Sequence, residues 1–312
     1  MFFTTDFKIL LQESEKNLKA STIQSFENMI KRVYVSGLGV SSFDVKLLKT
    51  KLKKVIKFIE SDELNLNVKR NTLNAIKNVL AVSDLKDDKE LYKVYNSMFY
   101  MIAKDAEKAR NYAKATEDEL DNKPTKDEIK DLFKGYEKEI DKLKYDWSID
   151  IPYLFLGFLV YLPVLRSQDY VSLRIIEKSS EWLTYDNYVN LEDGIISISN
   201  YKTDKTHGVR TIDIPSKLMK IIRTYYNKTD NEILFPQKNN SNLPMSSSGF
   251  THFINNVFGR KVSIQVLRQW YVSTLQDSGI SISKRKKIAD IMGHSVQTSL
   301  SKYGKYSDFN NK

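Results

Sequence analysis

Ile196-Ser-Ile-Ser199 and Thr211-Ile-Asp-Ile214, separated by the polar run Asn200 to Gly208, decide how this chain is read. In each stretch isoleucines alternate with polar residues, the period of a strand that buries one face. The run between them then forms the tip of a β-hairpin, with Lys202 and Lys205 on it. Nearly everything around the pair follows a helical period instead. The fold expected is therefore mainly α with a small β-hairpin or sheet, an α+β arrangement confined to the second part of the chain.

Upstream of the hairpin, Ile151 to Leu165 is the most apolar stretch, and it contains Pro152 and Pro163. It falls short of the ~20 residues a spanning helix needs, so it is expected to be a buried core helix. Further upstream, Thr125 and Glu128 follow Pro124 in the Thr-x-x-Glu pattern of a capping box, starting a helix through Ile129, Leu132, Phe133 and Tyr136. Before that box, Lys104 to Asp121 is charged and poor in large apolar residues. These features place an N-terminal domain at residues 1–110, a linker at 111–123 and a second domain at 124–312.

The N-terminal part shows four amphipathic stripes at helical spacing. They are Ile23, Phe26, Ile30 and Val33 after a cap at Ser21; Leu48, Leu52, Val55, Phe58 and Ile59; Leu73, Ile76, Val79 and Leu80; and Leu91, Val94, Met98, Met101 and Ile102. Downstream of the hairpin, helices are expected after Pro215 and from about Ser246. Two short ones follow, about Lys284 to Met292 and Val296 to Tyr303. No repeat of roughly 20–50 residues is visible.

The chain's 49 Lys and Arg against 39 Asp and Glu give a net charge of +10. Such an excess suits a polyanionic partner, nucleic acid or an anionic membrane surface, although a lysine-rich soluble protein would look the same. With no cysteine, a disulfide framework, a Cys-ligated metal and a thiol nucleophile are all excluded. Met1 to Asp6 lack a basic region followed by an apolar one, so a soluble, intracellular protein without a signal peptide is expected. No metal and no cofactor is anticipated.

Several polar residues invite a chemical reading, and each has a plain alternative. Arg166 could be a structural ion pair with Asp169, Lys202 a solvated lysine and Arg268 an ordinary helix arginine. His294 could be a helix-boundary residue, and Tyr303 is one of 18 tyrosines. Their order and spacing say more. Leu162-Pro-Val-Leu-Arg-Ser-Gln-Asp-Tyr-Val-Ser-Leu173 is followed by Tyr201-Lys-Thr203 before Arg210-Thr-Ile-Asp-Ile-Pro215. Leu234-Phe-Pro236, Val266-Leu-Arg268, Ile291-Met-Gly-His-Ser295 and Tyr303, nine residues after the histidine, complete the series. In these motifs the sequence resembles the tyrosine recombinase (phage integrase) family. The resemblance covers roughly residues 124–306 and extends more loosely to the N-terminal helices, which look like the family's core-binding domain.

The resemblance implies a two-domain DNA clamp that breaks and rejoins DNA without ATP. Attack on a phosphodiester builds charge on its non-bridging oxygens, which Arg166 and Arg268 would clamp with guanidinium forks. Tyr303 would attack the phosphorus and leave a 3′-phosphotyrosine. Lys202, with Lys205 as the alternative, would protonate the departing 5′-oxygen. His294 would bind the phosphate or orient its neighbours, and Asp169 would buttress the site. Gln265 stands where the family usually has His or Lys; an amide can donate to a phosphate oxygen but cannot take up a proton at neutral pH.

The expected partner is double-stranded DNA, with a homotetramer assembling on paired sites and no membrane contact. Phosphate contacts are expected from Lys53 and Lys57, from Lys69 with Arg70, and from Lys284, Arg285, Lys286 and Lys287. Each of these runs could equally be a solvated helix face. Two other readings compete. A type IB topoisomerase uses the same chemistry, but the N-terminal part lacks the alternating β pattern expected of that clamp. A catalytically decayed, recombinase-derived DNA-binding protein would not be expected to retain five catalytic residue types.

Overall fold

A computed structural model of the protein describes residues 2–14, 18–111, 117–178, 180, 185–201 and 208–298. Of these, 61% are helical and 8% lie in strands, which makes the fold mainly α with small sheets, as the hairpin pattern implied. The chain divides into two compact units, Met1–Tyr112 and Ala113–Lys312. Among the described residues no helix is long and apolar enough to cross a membrane.

The first unit contains α1 (Thr5–Gln12), α2 (Ala20–Arg32) and a π-helical turn (Val33–Leu38). After these come α3 (Leu47–Thr50), α4 (Leu52–Glu60), α5 (Leu66–Ala81) and α6 (Lys89–Asn111). The stripes supply its core: Ile30, Val33, Leu48, Val55, Ile59, Leu73, Ile76 and Val79 are wholly buried. Several details differ from the sequence expectation. Lys19, not Ser21, occupies the N-cap position of α2, with no side-chain capping bond, so Ser21 lies inside the first turn. The stripe from Leu48 to Ile59 is broken at Lys51, whose backbone leaves the helical region. Met101 is 61% exposed and lies off its stripe. The eight-residue α1 was not anticipated. Thr4 caps it, and the buried Glu27 accepts hydrogen bonds from the amides of Phe2 and Phe3, both at 2.8 Å, and pairs with Lys8 at 2.7 Å.

The first described element of the second unit is α7 (Glu117–Asp121), so part of the segment read as a linker is helical, while residues 112–116 lie outside the described residues. The capping box opens α8 (Lys126–Glu139) with both reciprocal bonds in place, Glu128 N to Thr125 Oγ1 at 3.0 Å and Thr125 N to Glu128 Oε2 at 3.3 Å. Next comes α9 (Trp147–Tyr161), in which Ile151, Leu154, Phe155, Leu156 and Phe158 are all wholly buried. An apolar helix enclosed on all sides is what its uniform hydrophobicity requires. After α10 (Ser167–Ser172) come four strands, β1 (Arg174–Ile176), β2 (Asn187–Asn190), β3 (Ile195–Ile198) and β4 (Arg210–Asp213), hydrogen-bonded in that order. β3 and β4 form the anticipated antiparallel pair, with Ile196 opposite Ile212. The parallel pair β1 and β2 went unread, because Arg-Ile-Ile and Asn-Tyr-Val-Asn lack the apolar–polar alternation that marks β3 and β4.

The remainder is α11 (Ser216–Thr229), a small ladder of β5 (Pro236–Gln237) and β6 (Asn240–Pro244), then α12 (Ser247–Phe258), α13 (Ile264–Asp277), α14 (Ile282–Ile291) and α15 (Val296–Thr298). Phe155, Phe158, Tyr170, Phe235 and Phe250 meet largely edge-on in the core of this unit, the arrangement that aromatic quadrupoles favour. That packing fixes the end of α9 and the start of α10, between which Arg166 lies.

Candidate active site

Arg166 follows the buried segment from Leu162 to Leu165 and occupies the N-cap position of α10. Asp169, 1% exposed, accepts the Arg166 amide on Oδ2 at 3.2 Å and so fixes that backbone. Arg268 projects from α13 and is 1% exposed, among the most buried large side chains of the molecule. Its Nη1 donates to the Val164 carbonyl at 2.7 Å and its Nη2 to the Met292 carbonyl at 2.9 Å. One guanidinium thus joins the approach to Arg166 to the end of α14.

That helix ends in a Schellman motif. The His294 amide bonds the Ala289 carbonyl and the Gly293 amide bonds that of Asp290, both at 3.0 Å, with Gly293 in the left-handed region at φ 70°. The next three carbonyls each receive a different arginine. Arg210 Nη1 reaches Ile291 O at 2.8 Å, Arg268 Nη2 reaches Met292 O at 2.9 Å, and Arg166 Nη2 donates to Gly293 O. Carbonyls at a helix C-terminus lack intrahelical partners and carry the negative end of the helix dipole, so cations collect there favourably. Position 293 must be glycine for two reasons. Its backbone is left-handed, and a Cβ there would lie 3.0 Å from Arg210 Nη1 and 3.1 Å from Arg166 Nη1.

His294, 5% exposed, sits against this cluster with Nδ1 3.2 Å from the Ser295 carbonyl. Burial, then the charges of Arg268 and Arg166, push its pKa down from 6.5 to about 4. The imidazole is therefore neutral at neutral pH. Two guanidinium forks and a neutral imidazole around one turn can hold a phosphoryl group and exchange hydrogen bonds with it.

The structure thus brings Arg166, Asp169, Arg268 and His294 together. Gln265 lies on the same helix as Arg268, three residues before it, with its side chain exposed. Lys202, Lys205, Tyr303 and Tyr306 lie outside the described residues. Of the proposed DNA contacts, Lys53, Lys57, Lys284, Lys286 and Lys287 are exposed, whereas Lys69, Arg70 and Arg285 are half-buried. Lys69 Nζ donates to the Glu60 carbonyl at 2.9 Å, closing the end of α4. Arg285 Nε donates to the Ile280 carbonyl at 3.3 Å.

Arg210 is the member that reading the sequence overlooked. It is 6% exposed, pairs with Asp169 Oδ2 at 2.9 Å and lies over the Tyr201 ring, 4.0 Å from its centroid. The available signal was its place at the head of Arg210-Thr-Ile-Asp-Ile214. An arginine opening a strand has no distinguishing period, and its carboxylate partner is 41 residues away.

A helical unit with a short mixed sheet, two arginines and a Gly-His turn between them defines a tyrosine recombinase type of domain. The chain belongs to the phage integrase family, whose model matches residues 125–308. Membership makes it, in general terms, a DNA-binding protein of site-specific recombination. A crystal structure of XerA recombinase is similar over 99% of this chain and 96% of that one, at 17% identity and a TM-score of 0.43. No curated protein sequence matches the chain.

Proposed function

We propose that the protein is a site-specific DNA recombinase of the integrase type, breaking and rejoining DNA through a 3′-phosphotyrosine at Tyr303. The observation that carries this reading is the convergence of Arg166, Arg268 and His294 on the turn from Met292 to His294, within a chain of this family. Arg166 and Arg268 clamp the non-bridging oxygens of the scissile phosphate, where charge builds as the nucleophile attacks. Lys202, or Lys205 in its place, protonates the 5′-oxygen that leaves. The phosphoester to Tyr303 retains the bond energy, and the reverse attack by a 5′-hydroxyl rejoins the strand.

Gln265 cannot take the tyrosine proton, which leaves His294, water or the substrate itself to receive it. A phosphate placed beside His294 offsets the two guanidinium charges that depress its pKa, so the imidazole becomes a better base when DNA is bound. Asp169 supports Arg166. Lys53, Lys57, Lys69 and Arg70 in the first unit, and Lys284 to Lys287 in the second, contribute contacts to duplex phosphates. A homotetramer on paired sites performs the exchange.

The test is a nicked suicide substrate carrying a target site from the neighbouring genome, with the covalent adduct resolved on a denaturing gel. Wild-type protein is expected to accumulate adduct, and Arg166→Ala or Arg268→Ala to slow it by roughly 100-fold or more. No adduct on a verified site would count against the enzyme reading. Processive relaxation of any supercoiled plasmid, with no joining of two duplexes, would favour a type IB topoisomerase instead.

A further inference from the structure

Both anchors of Arg166 are themselves held by one other side chain. The backbone of Arg166 is fixed by Asp169 Oδ2, and the same oxygen takes Arg210 Nη2 at 2.9 Å. The guanidinium of Arg166 is fixed at the Gly293 carbonyl, and Arg210 Nη1 holds the same turn two residues earlier, at Ile291 O, 2.8 Å away. The two guanidiniums lie over one glycine, each about 3 Å from where its Cβ would be. Tyr201 stacks beneath Arg210, and its hydroxyl donates to the Gly208 carbonyl at 2.7 Å, bracing the base of the hairpin.

The charges sort themselves accordingly. Asp169 and Arg210 form a buried ion pair, 1% and 5% exposed at the side chain, that is neutral as a unit. Removing one partner of such a pair leaves the other charge buried and uncompensated, which is costly. A lysine at 210 would keep the charge but lose the fork that reaches Asp169 and Ile291 simultaneously.

We infer that Arg210 is a positioning residue for strand cleavage: by holding Asp169 and the Ile291–Gly293 turn together, it keeps the guanidinium of Arg166 aimed at the scissile phosphate. The inference rests on the recombinase reading given above. Arg210 acts through Arg166 and has no contact with the reacting atoms in this account.

A substrate with less charge to clamp separates positioning from mere folding. Single-turnover cleavage by wild-type protein and by Arg210→Lys is measured on nicked DNA carrying either the ordinary scissile phosphate or a neutral methylphosphonate there. Duplex affinity is followed by fluorescence anisotropy and the fold by circular dichroism. On the phosphate, Arg210→Lys is expected to cleave about 10- to 100-fold more slowly, with affinity within about twofold of wild type. On the methylphosphonate, where an aimed Arg166 matters less, the gap is expected to narrow to about threefold or less. An equal loss on both substrates, or no loss on the phosphate, overturns the inference. If Arg210→Lys does not fold, Asp169→Asn, which removes the ion pair with little change of shape, must give the same substrate-dependent loss, and failure to do so overturns it equally. Adduct formation by the wild type on the phosphate is the separate mark of the recombinase reading; its absence removes both.

Discussion

His294 illustrates how a residue's surroundings set its chemistry. An unfolded histidine titrates near 6.5, while burial and two guanidiniums bring this one to about 4. Between those values the unfolded chain binds a proton that the folded chain does not. Stability is therefore complete above about pH 6.5 and falls as the pH drops toward 4, by on the order of 3 kcal/mol at the limit. Urea denaturation across that range should give a slope that His294→Gln largely removes; identical slopes in both proteins would contradict this environment. At the residue scale, Arg166, Asp169, Arg268 and His294 were legible in the sequence because their types, order and spacing act jointly. Arg210 was not legible, since its role depends on a long-range pairing with Asp169 and on the shape of the turn at Gly293.

At the scale of elements, long helices with a buried stripe were readable, and so was the capping box at Thr125, whose two bonds are local. Other pieces were not. α1 is only eight residues long, and β1 and β2 lack the apolar–polar alternation of β3 and β4, so tertiary packing decides them. The break at Lys51 interrupts a stripe that looks continuous in sequence. In α14 only Ala289 is buried, while Lys284, Lys286 and Lys287 are exposed around the helix and Ile282 is 81% exposed. A helix so lightly embedded, with its far end gripped by three arginines, suits contact with a polyanion along its basic surface. Neutralising Lys284, Arg285, Lys286 and Lys287 together should weaken duplex binding and flatten its salt dependence, by roughly 0.9 in log–log slope for each phosphate that is no longer neutralised. Anisotropy titrations at several salt concentrations measure this. An unchanged slope would return the run to a solvated face.

At the scale of the molecule, the two hydrophobic cores share no residue among those described: one is built from residues between Phe3 and Met98, the other from residues between Ile129 and Trp270. A fragment comprising residues 113–312 is therefore expected to unfold cooperatively on its own, as followed by circular dichroism in denaturant; a gradual, non-cooperative loss of signal would contradict it. In the sequence, charged Lys104 to Asp121 lies between two apolar patterns. In the proposed reaction, strand cleavage turns on one atom, the phenolic oxygen of Tyr303. Tyr306 is three residues away and is the natural competitor. The most direct test traps the covalent complex on a suicide substrate, digests it and identifies the DNA-linked peptide by mass spectrometry, for the wild type and for Tyr303→Phe. Modification is expected on Tyr303 alone, with no adduct at all from the variant, which still folds and binds DNA. A modified Tyr306, or an adduct that persists in Tyr303→Phe, would contradict it.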